Sequence, residues 1–229
     1  MKIIGLIGGI SWVSTIDYYR AINLGVNESL GGSNFSECMI YSFNYQDIIT
    51  NNVTGNQEAT FGMLLKGSTH LKNGGAKAIV LCANTMHLHA ERLEQAIGIP
   101  VIHIARATAK AIEKKGLKKV GLLGTTFTME LDFFKDKLKE RGIEVLIPDK
   151  ESRQFIQHTI FYELGSNIIK EDTKRRYLSI IDSQKEQGAE GIILGCTEIP
   201  LLIKPGDCDL PLFDTALIHS AAAVEFILS

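Results

Sequence analysis

Gly191-Ile192-Ile193-Leu194-Gly195-Cys196-Thr197-Glu198 decides how this chain folds. Four apolar or small residues run without a polar break and stop at a glycine and a cysteine. An uninterrupted, β-branched run of this length predicts a strand buried on both faces of a parallel sheet. A cysteine at its carboxyl end lies where open α/β sheets carry their chemistry. The same arrangement stands half a chain earlier, in Ala78-Ile79-Val80-Leu81-Cys82-Ala83-Asn84-Thr85.

The echo extends outward from both cysteines. Gly75-Ala76 precedes the first run and Gly188-Ala189 the second. Ile4-Gly5-Leu6-Ile7-Gly8 parallels Val120-Gly121-Leu122-Leu123-Gly124, and Ile99-Pro100-Val101 parallels Leu210-Pro211-Leu212. Offsets of 116 residues (Gly5 to Gly121), 114 (Cys82 to Cys196) and 111 (Pro100 to Pro211) keep the matches in order. We read a duplicated α/β unit. The expectation is two similar three-layer α/β lobes with mainly parallel sheets, related by an approximate two-fold axis, with the active site between them. Residues 1–103 and 211–229 form the first lobe, carrying Cys82. Residues 104–210 form the second, carrying Cys196.

Within this frame a helix capped by Ser11 or Ser14 is expected to run toward Leu30, with Ile16, Tyr19, Ile22 and Val26 on one face. The polar, asparagine-rich stretch from Tyr45 to Thr60 reads as a loop with at most a helical turn, and a helix is expected over roughly 58–73. Asn84 or Thr85 is expected to cap a helix running to about Ile97.

Composition narrows the function classes. With 24 Lys+Arg against 26 Asp+Glu, the net charge of −2 gives no footprint for nucleic acid. Lys174-Arg175-Arg176 has acidic neighbours and reads as a solvated face. No apolar run approaches the about 20 residues of a membrane span. Met1-Lys2-Ile3-Ile4 enters a strand directly, unlike a signal peptide, and four cysteines fit free thiols in a reducing cytoplasm.

A thiol has an unperturbed pKa of about 8.5, and a helix N-terminus lowers it. Both cysteines are expected at such positions. A thiolate on one side of a carbon and a thiol on the other can remove a proton from one face and deliver one to the other, which inverts a stereocentre. Three other readings stand beside this one. Either cysteine alone can be a small buried hydrophobe. Cys82, His87, His89 and Cys196 include the ligand types of a zinc site, without the paired C-x2-C spacing of common structural sites. A redox pair lacks the C-x-x-C pattern. Gly5-Leu6-Ile7-Gly8-Gly9 fits neither the dinucleotide nor the phosphate-loop glycine pattern and reads as a tight turn at the sheet edge.

Ile7-Gly8-Gly9-Ile10-Ser11-Trp12, Cys82-Ala83-Asn84-Thr85-Met86-His87 and Leu194-Gly195-Cys196-Thr197-Glu198-Ile199-Pro200 together resemble the aspartate/glutamate racemase family. The resemblance is nearest to its broad-specificity amino-acid racemases, and it covers nearly the whole chain. It implies racemisation of aspartate or glutamate with no pyridoxal phosphate, no other cofactor and no metal, with Cys82 and Cys196 as opposed acid and base. It implies Ile10, Asn52, Ala83, Asn84, Thr85, Thr197 and Glu198 as substrate-binding positions, and a homodimer whose partner molecules are amino acids, not nucleic acid or membrane. Relatives commonly carry methionine at Ile10, glutamine at Asn52 and threonine at Ala83. A related isomerase or decarboxylase on a small carboxylate, and a catalytically silent amino-acid-binding protein, are the alternative outcomes.

Overall fold

The computed structural model describes all 229 residues. The chain forms two compact units, Met1–His103 with His219–Ser229, and Ile104–Ile218.

The first unit is built from β1 (Ile4–Gly8), α1 (Trp12–Leu30), β2 (Cys38–Ser42), α2 (Tyr45–Val53), α3 (Gln57–Asn73), β3 (Ala78–Leu81), a 3-10 turn (Asn84–His89), α4 (Ala90–Ile97) and β4 (Val101–Ile102). Its sheet is parallel throughout, in the order β2-β1-β3-β4. The second unit holds α5 (Ile104–Lys114), β5 (Lys119–Gly124), α6 (Thr126–Glu130), α7 (Asp132–Lys139), β6 (Glu144–Leu146), α8 (Lys150–Tyr162), α9 (Glu171–Glu186), β7 (Ile192–Gly195), α10 (Ile199–Leu202) and β8 (Leu212–Asp214). Its sheet repeats the topology as β6-β5-β7-β8, again all parallel. The repeat read from the two cysteine strands is therefore a repeat of topology.

The central strands owe their place to their composition. Every residue of β1, β3 and β7 is buried, because helices cover both faces of a parallel sheet and only apolar or small side chains fit there. Each unit has its own core. Leu64, Ile79, Leu81 and Leu93 centre the first, and Leu122, Phe134, Tyr177 and Ile193 the second. Each such side chain stabilises the fold by about 2 kcal/mol relative to leaving it in water.

Three expectations are corrected. The boundary of the second unit lies at Ile218, not at residue 210, because β8 pairs with β7. The last helix, α11 (Thr215–Leu228), thus begins in the second unit, and its residues from His219 onward belong to the first. The stretch from Tyr45 to Thr60 is not a loop. It holds α2 and the start of α3, and Asn56 caps α3 by accepting from the Ala59 N–H at 3.1 Å. Asn56 caps while Asn51 and Asn52 are half-buried on α2, and Ile48 is the one fully buried residue of that helix. On α1 the buried face is Tyr18, Ile22 and Val26; Ile16 and Tyr19 point outward. No helix is long and apolar enough to cross a membrane.

Candidate active site

In each unit the strand order reverses direction at the central pair, between β1 and β3 and between β5 and β7. Ligands of open α/β sheets bind beyond the carboxyl ends of the strands at such a reversal. Register places the cysteines there. Ile7 pairs with Leu81, and the Cys82 N–H donates to the Ile7 carbonyl at 2.9 Å. Gly124 pairs with Gly195, one residue before Cys196.

In the first unit Cys82 is 1% exposed and is followed by Ala83, Asn84 and Thr85 at the start of the 3-10 turn. Ile10 and Ala83 pack into the same apolar cluster, Asn84 is buried and Thr85 half-buried. The turn from β1 is tight. Gly9 has φ +83°, and its N–H donates to the Thr15 hydroxyl at 2.9 Å, which in turn donates to the Ser11 carbonyl at 3.1 Å. A Cβ on Gly8 would enter the space of the Thr15 side chain. Asn52 is carried on the last turn of α2, half-buried, so a helix rather than a loop sets its position.

In the second unit the candidate residues meet. The Cys196 thiol donates to Glu198 Oε2 at 2.8 Å, and the Thr197 hydroxyl donates to the same oxygen at 2.9 Å. Sequence reading missed the groups behind them. Tyr177 is fully buried with its hydroxyl 3.0 Å from that of Thr159. Burial raises its pKa, the Thr159 hydroxyl offsets part of this, and the negative charges of Glu163 and Glu198 add to the rise. Thr215 donates to the Leu194 carbonyl at 2.9 Å and ties the strand end from the other side. Nothing in the spacing of Thr15 or Tyr177 marks them, since each reaches its partner through the fold.

The expected lowering of the two thiol pKa values is overturned. Burial pushes Cys82 up, and burial, then the charge and hydrogen bond of Glu198, push Cys196 well above the ordinary thiol value. The physical reason lies in the elements that follow. Cys82 precedes a 3-10 turn, and Cys196 precedes the four-residue α10, so neither faces the N-terminus of a long helix. Desolvation of the anion then dominates. Both cysteines rest as neutral thiols. Two of the residues weighed for zinc have protein partners: His87 Nε2 donates to the Leu81 carbonyl at 3.3 Å, and His89 Nε2 lies 3.1 Å from Gln57 Oε1.

The sequence pattern of the Asp/Glu/hydantoin racemase family matches residues 7–223. The chain belongs to that family. Among solved structures, a candidate Asp/Glu racemase from Yersinia pestis is 43% identical, with full coverage of both chains and a TM-score of 0.96. An aspartate racemase homologue from Pyrococcus horikoshii OT3 is 35% identical, also over both full chains, with a TM-score of 0.87. The broad-specificity amino-acid racemase RacX of Bacillus subtilis is 25% identical over 166 residues, 72% of this chain and 71% of its own. The family resemblance and the α/β architecture with two parallel sheets are thus borne out. Within the racemase family, the two strand-end cysteines of this chain each stand at the reversal point of a parallel sheet.

Proposed function

We propose that this racemase-family protein is a pyridoxal-phosphate-independent isomerase that interconverts the L and D forms of aspartate, glutamate or both. Cys82 and Cys196 are its two bases. The observation that carries the reading is their equivalence: each follows the central strand at the switch point of its own sheet, in units of one topology. Substrate carboxylate and ammonium are held by the strand-end loops, with Ile10, Asn52, Ala83, Asn84 and Thr85 from the first unit and Thr197 and Glu198 from the second.

The resting state supports a defined order of proton movements. Cys196 hands its thiol proton to Glu198, its hydrogen-bond partner at 2.8 Å. The thiolate then removes the α-proton, and the Cys82 thiol delivers its own to the opposite face of the carbanion. The electron pair left by the C–H bond forms the new C–H bond. Cys196 ends protonated and Cys82 ends as thiolate, so the reverse reaction begins from the opposite pair. Burial of Cys82 and partial burial of Cys196 support this reading, because limiting water keeps each anion basic and strengthens interactions with the developing charge.

Proton NMR in deuterium oxide tests the proposal with L-aspartate and L-glutamate, followed by chiral chromatography. Loss of the α-proton signal with formation of D-isomer is expected. Cys82→Ser and Cys196→Ser should each lower racemisation at least about 10³-fold, as expected on removal of a group that acts in the transition state. Either variant retaining wild-type turnover would sink the two-base assignment. Exchange into no amino acid by folded protein favours a binding protein.

The active molecule is proposed to be a cytoplasmic homodimer. The exposed side chains of Trp12, Ile16 and Tyr19 on α1 and of Ile40 on edge strand β2 support it as an uncharged apolar stripe. Light scattering after gel filtration gives the mass; a monomer at micromolar concentration rejects the dimer.

A further inference from the structure

Three of the six histidines in the chain are buried together in the first unit, and the proton chemistry above uses none of them. His87 comes from the 3-10 turn after Cys82, His103 from the end of β4, and His219 from α11. The His87 ring centroid lies 4.9 Å from that of His103 and 5.1 Å from that of His219. Tyr18 of α1 closes the group, edge-on to His219 at 5.5 Å.

The hydrogen bonds fix what each ring does. A carbonyl accepts only, so the bond at 3.3 Å makes His87 Nε2–H a donor to Leu81, the residue before Cys82. By the same rule His219 Nε2–H donates to the Ile102 carbonyl at 2.6 Å. Its Nδ1 is then the acceptor for the Tyr18 hydroxyl at 2.9 Å. One cluster therefore ties down the carboxyl ends of β3 and β4 from two helices. The chain leaves the first unit after His103 and returns to it at His219. Both points of passage are members of the cluster.

We propose that His87 is a positioning residue for Cys82, and that the Tyr18–His219–His87–His103 cluster holds the strand ends from which the first unit presents that cysteine. The catalytic meaning rests on the racemase reading; the structural claim does not. His87 does its work through the Leu81 carbonyl and the peptide that follows it, without touching substrate.

The test is the rate of iodoacetamide labelling at Cys82 relative to Cys196, followed by peptide mass spectrometry in the same sample. It needs no turnover. His87→Leu removes the donor; His87→Gln keeps an N–H at the place of Nε2. The expected result is about tenfold faster labelling of Cys82 in the leucine variant, the scale of one lost hydrogen bond, with Cys196 unchanged. The glutamine variant should return to near the wild-type ratio. In protein that exchanges the substrate α-proton, kcat falls by a similar factor in His87→Leu while KM stays within about twofold. A labelling ratio in His87→Leu within about twofold of wild type overturns the proposal. If that variant does not fold, Tyr18→Phe carries the test, because it deletes only the hydroxyl that holds His219. A severalfold rise in the ratio is then expected, and an unchanged one rejects the cluster's role. Wild-type protein that exchanges no amino-acid α-proton defeats the racemase reading and leaves the labelling ratio to decide the positioning role.

Discussion

At Cys196 a thiol and a carboxylate share a hydrogen bond in a half-buried site, and two opposing consequences follow from removing the charge. Glu198→Gln deletes the acceptor that takes the thiol proton, so racemisation should fall by about 10²-fold. The same change removes the negative neighbour that helps to raise the Cys196 pKa, so its alkylation at pH 8 should become faster. Steady-state kinetics and iodoacetamide labelling measured on one preparation check both. A parallel fall in activity and in labelling would show that the variant had only disordered the site. Cys82 is a different case within the same scheme. Its second residue onward is Asn84 where Cys196 has Glu198, so the two thiols are chemically equal but not equally served.

The β1–α1 turn shows how an element's geometry reaches the site. Gly8 ends the strand against the Thr15 side chain, and Thr15 in turn holds the Gly9 N–H. Gly8→Ala inserts a methyl group where no space exists, so the turn must shift. We expect a loss of about 1–3 kcal/mol in stability, the usual cost of overpacking, read as a lower urea midpoint. Activity per folded molecule should fall as well, since Ile10 moves with the turn. Wild-type stability in this variant would mean that Thr15 swings aside at no cost. The helix α2 carries the opposite lesson. Its polar content hid it from a reading based on apolar runs, and one buried anchor at Ile48 is what holds it.

For the molecule as a whole, the buried histidines make stability depend on pH. Burial lowers His219 to about 4, against about 6.5 in an unfolded chain. Between these values the unfolded state binds more protons than the folded state. Stability is therefore full above about pH 6.5 and declines as pH falls toward 4, by about 3 kcal/mol for this one group. His87 is displaced in the same direction, chiefly by burial, and adds to the loss. Thermal melts from pH 7.5 to 4 should show a falling Tm, with a shallower slope in His219→Gln; equal slopes would remove His219 as the cause. The apolar runs ending at Cys82 and Cys196, and their repeated spacing, were enough to settle the parallel sheets and the duplication, because burial on both faces leaves a strand no other composition; the family was legible only as a resemblance of the motifs around Gly8, Cys82 and Cys196. The helix α2, the boundary at Ile218 and the neutral state of both thiols were not legible. These depend on which strand β8 pairs with, on how short the elements after each cysteine are, and on how deeply each sulfur is buried. Likewise no spacing along the chain joins His87, His103 and His219, and only folding gathers them, because the contacts that join them span up to 132 residues of sequence, from His87 to His219.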